Sequence, residues 1–182
     1  MKVLVVVDMQ NDFIDGALGT AEAAAIVARV VQRIENSRGE LILFTKDTHG
    51  ADYLDTPEGK KLPVSHCIEG TKGWETAPRI LDAWRKNATK VVDETLPENT
   101  FTKPVFGCTD LVAYLKARES DIDAIEILGV CTDICVVSNA VMIKNTMPNV
   151  PITVNAACCA GVTPQSHNEA LNVMKMCQID VV

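Results

Sequence analysis

The sequence predicts a three-layer α/β/α fold, in which helices cover both faces of a six-stranded, mostly parallel, Rossmann-like sheet. Short apolar runs rich in Val and Ile alternate with longer segments of helical periodicity, which is typical of a parallel sheet buried on both faces. The chain has 182 residues, a length that suits one domain over residues 1–182. The predicted strands are residues 2–8, 41–47, 90–94, 123–130, 151–157 and 179–182.

Helical periodicity predicts five helices between these strands. They cover about residues 20–36, 75–87, 109–119, 133–146 and 165–177. Thr163 and Pro164 have the residue types of an N-cap and a first helical position, so the last helix should begin there. The stretch from Thr48 to Trp74 has no predicted element and is longer than compact domains usually allow without a function.

Composition limits the class of protein. Apolar residues make up 47% of the chain and charged residues 23%, and no apolar run is long enough to cross a bilayer. The apolar run after Lys2 stops at Asp8 without a cleavage pattern, so it predicts a strand and not a signal peptide. The net charge of -7 and the scattered basic residues argue against a nucleic-acid partner. The seven cysteines should stay reduced, which predicts a cytoplasmic protein.

Polar residues follow the ends of the predicted strands. Asp8 ends the first strand, Asp47 and His49 follow the second, Lys103 lies in the loop after the third, and Cys135 follows the fourth. Ligands of open parallel sheets bind beyond the carboxyl ends of the strands. We therefore expect these five side chains to meet at one edge of the sheet.

Cys131 and Cys135 allow three interpretations. Free cysteines are usually small buried core residues, and this interpretation suits Cys108, Cys158, Cys159 and Cys177. A thiolate metal clip is a poorer match, because the spacing is not CxxC and no second pair accompanies it. The third interpretation is that one of the two is a nucleophile.

The position of Cys135 favours the nucleophile. Thr132 or Asp133 can cap the helix that follows the fourth strand, which places Cys135 in the first turn, where the helix dipole favours a thiolate. A thiol also needs a base to ionise it and a cation to hold the charge. Asp8 and Lys103 are the candidates for these roles.

A second group of residues suggests a metal site. Asp47 and His49 have the spacing D-x-H, and His66 follows further along the same stretch. A carboxylate with imidazoles suits Zn, Mn or Fe. Alone, the D-x-H spacing is a weak signal, because histidines of surface loops show it too.

Three motifs resemble, in order, the signatures of the isochorismatase-like cysteine hydrolases, most closely the nicotinamidase branch. They are DMQNDF (8–13), KPVFG (103–107) and GVCTDICV (129–136). The resemblance extends over nearly the whole chain. It implies the isochorismatase-like hydrolase fold and hydrolysis of a small amide.

The resemblance also implies roles for the residues in these motifs. Asp8, Lys103 and Cys135 would form a catalytic triad, in which Cys135 attacks the amide carbon and Asp8 transfers protons. The backbone N–H groups of Cys131 and Cys135 would form the oxyanion hole. The peptide bond between Val130 and Cys131 would be cis.

The resemblance implies a divalent metal as well, zinc in the first place, with manganese or iron as alternatives. Its ligands would be Asp47, His49, His66 and Glu58. Asp52 and Asp55 compete with Glu58 for the fourth position. In the family the metal holds the pyridine nitrogen of nicotinamide, and Phe13 and Phe106 would supply apolar walls for the ring.

These inferences predict a nicotinamidase, which converts nicotinamide and water to nicotinate and ammonia. One alternative is a metal-free cysteine amidase of the same family that acts on a small carbamoyl or ureido compound. Another is a non-catalytic module that binds a small amide. The expected partner is a small-molecule amide, with no nucleic acid and no membrane, and the resemblance implies a homo-oligomer.

Overall fold

The computed structural model describes residues 1–87 and 99–182, and it confirms the predicted three-layer architecture. The strands are β1 (Lys2–Val7), β2 (Leu41–Asp47), β3 (Thr100–Lys103), β4 (Ala124–Val130), β5 (Ile152–Ala160) and β6 (Asp180–Val181). They form one sheet in the order β3-β2-β1-β4-β5-β6, and every neighbouring pair is parallel.

The helices form the two outer layers. They are α1 (Asn11–Ile14), α2 (Ala21–Glu35), α3 (Pro57–Lys61), α4 (Pro78–Asn87), α5 (Thr109–Lys116), α6 (Val137–Thr146) and α7 (Pro164–Met176), with a π-helical segment (Thr132–Val136) before α6. α2 packs against α4, whereas α6 packs against both α5 and α7. All five predicted helices are present. None of the helices in the two described ranges is long and apolar enough to span a bilayer.

One strand of the sheet was not predicted from the sequence. The predicted strand at residues 90–94 lies outside the described residues. The strand that pairs with β2 is Thr100–Lys103, so Lys103 ends a strand and does not lie in a loop. This strand has four residues and its side chains alternate between threonine and larger groups, so it lacks the apolar run by which the other strands are recognised.

β1 is the centre of the sheet, which explains its composition. It lies between β2 and β4, and Val3 to Val7 are at most 1% exposed. A strand covered on both faces must be apolar along its buried length, and the sequence VLVVV after the exposed Lys2 meets this requirement. β4 approaches β1 closely at Gly129, whose φ is 121° and where a Cβ would lie 2.1 Å from the carbonyl oxygen of Val7. Only glycine fits this position.

Local signals account for the ends of the long helices. Thr163 caps α7 by accepting a hydrogen bond from the Ser166 N–H, and Pro164 is the first residue of the helix. Thr20 caps α2 in the same way. The buried residues of α2 recur at intervals of three and four, so one stripe of the helix faces the sheet.

The stretch from Thr48 to Trp74 is ordered, although the sequence predicted no element in it. It contains a 3₁₀ turn (Tyr53–Asp55) and the short helix α3. The N–H of His49 donates to the Cys67 carbonyl at 3.0 Å, and the N–H of Glu69 donates to the His49 carbonyl at 2.9 Å. These bonds hold the two ends of the stretch together.

The order of the strands brings the functional candidates to one place. After β1 the chain builds the sheet outward through β2 and β3, and β4 then returns to the other side of β1. The carboxyl ends of β1 and β4 therefore flank the switch point at which open α/β sheets bind ligands. Asp8 follows β1, and Cys135 follows β4.

Candidate active site and metal centre

Lys103 contacts both other residues of the predicted triad. Its Nζ lies 2.7 Å from Oδ2 of Asp8 and 3.4 Å from Sγ of Cys135. All three side chains are buried, Asp8 completely. Residues from the ends of three strands thus meet in contact, as the sequence predicted.

Hydrogen bonds to Thr45 of β2 hold Asp8 in place. Its Oδ1 accepts a hydrogen bond from the Thr45 hydroxyl at 2.6 Å, and its N–H donates to the Thr45 carbonyl at 3.2 Å. The φ of Asp8 is 47°, a left-handed conformation that Asp tolerates better than most residues. This turn directs the carboxylate towards Lys103 and away from the course of β1.

Cys135 lies in an irregular helical turn. The carbonyl of Cys131 accepts hydrogen bonds from the N–H groups of Ile134 and Val136, and the second of these closes a π-helical turn. Cys135 is the residue between these two donors. Such turns are frequent at functional sites. The peptide bond between Val130 and Cys131 is cis, as the resemblance implies.

The electrostatic environment of Cys135 differs from the expectation of a stabilised thiolate. Burial, and next the Asp8 carboxylate, raise the pKa of the Cys135 thiol well above its usual value, against the opposing effect of Lys103. Burial also raises the pKa of Asp8, although Lys103 opposes this shift. The helix dipole does not offset these effects, because Cys135 is only 5% exposed and faces carboxylates as well as a cation.

These shifts define the resting state of the site. Burial would lower the pKa of Lys103, but the neighbouring Asp8 carboxylate raises it above its usual value, so the ammonium persists. The shifts therefore favour the neutral thiol of Cys135 beside the Lys103 ammonium. Because the pKa of Asp8 is raised, its carboxylate is a stronger base than an ordinary Asp and suits the transfer of the thiol proton.

Asp47, His49 and His66 form a second buried group. One ligand atom from each lies within 4.8 Å of the others. Oδ2 of Asp47 is 2.9 Å from Nε2 of His49 and 3.5 Å from Nε2 of His66. Nδ1 of His66 is 2.8 Å from the Val64 carbonyl, an arrangement that places the proton on Nδ1 and leaves Nε2 free to bind a metal. Two imidazoles and a carboxylate fit a divalent metal.

Glu58 lies beside this group. Its Oε1 is 3.9 Å from Nε2 of His49, and its side chain is partly exposed at the start of α3. The alternatives Asp52 and Asp55 are exposed. Tyr53 packs against the imidazoles, with its ring centroid 4.6 Å from that of His49 and 4.8 Å from that of His66.

A cavity of about 330 Å³ opens next to the metal group. Its lining includes His49, Tyr53 and Glu58, together with Pro104 and Val105, which directly follow Lys103. This volume is at the lower end of the range for small-molecule sites. The cavity therefore suits a compact ligand.

The two predicted ring walls have different environments. Phe13 is 8% exposed, and its ring lies edge-on to His66 with the centroids 5.6 Å apart. Phe106 is 46% exposed, and its carbonyl accepts a hydrogen bond from the side chain of Asn139. Phe13 is thus part of the wall of the metal group, whereas Phe106 lies at the surface.

Sequence reasoning missed two buried amides that support the site. The side-chain amide of Gln10 donates to the Asp47 carbonyl and accepts from the Asp47 N–H, both at 2.8 Å. It thus binds the backbone at the end of β2, where β1 no longer does. Asn139 donates to the Cys135 carbonyl at 2.8 Å and accepts from the Cys108 N–H at 2.8 Å. The available signal for Asn139 was its place one helical turn after Cys135.

Thr132 connects the turn that carries Cys135 to α7. Its hydroxyl lies 2.8 Å from Nδ1 of His167. His167 is outside the metal group, because the three described residues of that group are Asp47, His49 and His66. Through its contact with Thr132, His167 supports the turn that carries Cys135.

The fold and the site define a Rossmann-like α/β protein with a buried cysteine, lysine and aspartate beside a group that fits a divalent metal. The chain belongs to the isochorismatase family, because the Isochorismatase domain model matches residues 2–182.

Relatives of known name agree with this assignment. The nicotinamidase/pyrazinamidase of Mycobacterium tuberculosis is 26% identical over 195 residues, which cover 100% of this chain and 98% of the relative. The solved structure of a pyrazinamidase/nicotinamidase from Streptococcus mutans superposes with a TM-score of 0.81 at 27% identity, and all of both chains is covered. The pyrazinamidase of Pyrococcus horikoshii in complex with zinc gives a TM-score of 0.77 at 28% identity, with 100% of this chain and 98% of that chain covered.

Proposed function

We propose that this protein is a nicotinamidase, an amidohydrolase that converts nicotinamide and water to nicotinate and ammonia. The observation that carries the proposal is the position of Lys103, whose ammonium contacts Asp8, Cys135 and Asp47. This arrangement joins a cysteine nucleophile to a metal-binding group in one buried site. The nicotinamidases of Mycobacterium tuberculosis and Saccharomyces cerevisiae among its relatives support the same activity.

The first half of the proposed reaction forms a thioester. Cys135 transfers its proton to Asp8 as its sulfur attacks the amide carbon, and a C–S bond forms. Asp8 then delivers that proton to the amide nitrogen, the C–N bond breaks, and ammonia leaves. The backbone N–H groups of Cys131 and Cys135 stabilise the oxyanion, at about 3 to 4 kcal/mol for each donor.

The second half regenerates the thiol. Asp8 takes a proton from a water molecule, whose oxygen attacks the thioester carbon. The C–S bond breaks, nicotinic acid leaves and releases its proton to solvent to give nicotinate, and the sulfur recovers the proton from Asp8. Lys103 keeps its charge throughout and keeps Asp8 ionised between the steps.

The substrate binds at the metal group of Asp47, His49 and His66. We assign Asp47, His49, His66 and Glu58 as ligands of a zinc ion. When bound, the ion would supply a Lewis-acidic contact for the pyridine nitrogen. Phe13 and Phe106 are the proposed apolar walls for the ring. We further propose a single domain over residues 1–182, a cytoplasmic location and a homo-oligomer.

Ammonia release from a panel of amides tests the function. Nicotinamide and pyrazinamide should be hydrolysed by the zinc-loaded protein, and ureido acids should not. Hydrolysis of ureido acids alone, with no dependence on metal, would instead identify a metal-free amidase. Binding of nicotinamide by calorimetry without any ammonia release would identify a non-catalytic module.

A further inference from the structure

We propose that Asp12 is a positioning residue for the metal ligand His66. Asp12 lies in α1, and its carboxylate reaches the loop of residues 66–73, which we call the His66 loop. Its Oδ2 accepts a hydrogen bond from the Cys67 N–H at 2.8 Å, directly after His66. Its Oδ1 accepts from the Ala17 N–H at 3.2 Å. The inference rests on the metal site proposed above and adds a residue to it.

The backbone at Cys67 needs such support. Its φ is 46°, a left-handed conformation that residues other than glycine rarely adopt. The sharp turn here reverses the chain after His66, and the Cys67 carbonyl then accepts the N–H of His49 at 3.0 Å. The hydrogen bond from the Cys67 N–H to Asp12 holds the amide group of the same residue. Asp12 therefore fixes the turn that directs His66 towards Asp47.

The far end of the His66 loop is shaped around the same carboxylate. The Asp12 N–H donates to the Gly73 carbonyl at 3.0 Å. A Cβ at Gly73 would lie 2.1 Å from Oδ2 of Asp12. Glycine is thus required at this position to leave room for the carboxylate, and both ends of the loop are built against Asp12.

Groups that orient metal ligands have measurable effects on the metal. Loss of such a partner usually weakens metal binding about 10- to 100-fold. We expect Asp12→Ala to raise the zinc dissociation constant by about this factor. Asp12→Asn should have a smaller effect, because its one amide oxygen can still accept from Cys67 while Ala17 loses its acceptor.

Asn11→Ala is the matched control. Asn11 is the neighbouring residue of α1, and its side chain donates to the Lys72 carbonyl of the same loop at 2.7 Å. This contact is distant from His66 along the loop. The control should keep the wild-type zinc affinity, so a general loosening of the loop is separated from the specific effect of Asp12.

Gly73→Ala tests the same carboxylate without removing it. The added methyl group should displace Oδ2 of Asp12 and weaken zinc binding in the same direction as Asp12→Ala. In the double variant, Gly73→Ala should add little to Asp12→Ala, because the carboxylate it displaces is already gone. The two effects are therefore expected to be non-additive.

Zinc affinity is measured by competition with a chromophoric chelator, and hydrogen exchange of the metal-free protein is measured in parallel. In the metal-free protein, the Cys67 N–H of Asp12→Ala should exchange faster than that of wild type. Equal zinc affinity in wild type and Asp12→Ala, or an equal loss in Asn11→Ala, would overturn the role of Asp12. If Asp12→Ala fails to fold, wild-type affinity in both Asp12→Asn and Gly73→Ala would overturn it. Absence of zinc binding by the wild-type chain would overturn the metal site and, with it, this inference.

Discussion

The ammonium of Lys103 lies 3.3 Å from Oδ1 of Asp47, so one carboxylate contacts both the predicted triad and the metal group. The other oxygen of that carboxylate, Oδ2, is the one that faces His49 and His66. Charges this close in a buried site interact strongly. A metal bound by Asp47 would therefore reduce the negative charge that Lys103 and Cys135 experience.

Substitution of the two cysteines should have opposite results. Cys135→Ala removes the attacking sulfur and should lower kcat by a factor on the order of 10⁶, as loss of the nucleophile does in a serine protease. Cys131→Ala should keep most of the activity, because alanine retains the backbone N–H. Steady-state ammonia release measures both, with calorimetry to show that Cys135→Ala still binds nicotinamide. Full activity in Cys135→Ala would refute the mechanism.

Lys103→Ala should lose both activity and stability. Without the cation, Asp8 holds its proton more tightly, and kcat/KM should fall by about 10²-fold or more. The variant should also lose about 3 to 5 kcal/mol of unfolding free energy at neutral pH, because buried carboxylates are left unpaired. Loss of Lys103 raises the pKa of Asp8 further, so this deficit should shrink as the pH falls and Asp8 becomes protonated.

Urea unfolding at two pH values measures the effect. Lys86→Ala is the control, since Lys86 is a largely exposed lysine that pairs with Glu35 at 3.0 Å, and an exposed pair contributes about 0 to 1 kcal/mol. Wild-type turnover in Lys103→Ala would show that another group holds Asp8 ionised.

The three histidines should differ in their effect on metal content. His49→Ala and His66→Ala each remove a ligand from a small set and should abolish stoichiometric metal binding. His167→Ala should keep one metal per chain, because His167 contacts Thr132 and lies outside the metal group. Elemental analysis of protein purified without chelator measures the content. Equal metal content in all three variants would contradict the ligand assignment.

Alkylation should report the raised pKa of Cys135. In chelator-treated protein, iodoacetamide should modify Cys135 slowly at pH 7 and faster only above the usual thiol pKa of about 8.5, because burial and the Asp8 carboxylate disfavour the thiolate. Lys103→Ala should slow the reaction further, since Lys103 opposes the shift. Peptide mass spectrometry over a pH series follows the rate, with exposed Cys177 as reference. A half-maximal rate below pH 8.5 would contradict the prediction.

The sequence was sufficient to predict residues that lie at the ends of long apolar runs. β1 and β4 are recognisable because they are rich in Val, Ile and Leu, with Glu126 as the one charged residue inside β4, and the residues that follow them, Asp8 and Cys135, could be placed at one edge of the sheet. The strand Thr100–Lys103 was not predicted, because four residues at the edge of a sheet carry too little pattern. Lys103 was expected in the loop after the predicted third strand, close to its actual place at the end of β3, so the triad was still found.

The supporting residues could not be predicted, because they act on the backbone of other segments. Gln10 binds both backbone groups of Asp47, and Asp12 binds the N–H of Cys67. The path of those segments depends on the tertiary structure and leaves no periodic trace in the sequence. The burial of a side chain is hidden from the sequence in the same way, so the sequence predicted a lowered pKa for the Cys135 thiol, whereas burial raises it.

The central place of β1 also determines when the site can form during synthesis. One edge of β1 pairs with β2, which follows soon along the chain, but the other edge pairs with β4, as in the contact of Val3 with Ile125. A ribosome must therefore release most of the chain before this edge is covered, and a nascent fragment that ends before β4 exposes an apolar strand edge, the type of surface that promotes aggregation. Premature termination before residue 124 should thus yield insoluble fragments that depend on chaperones, and not a weakened enzyme.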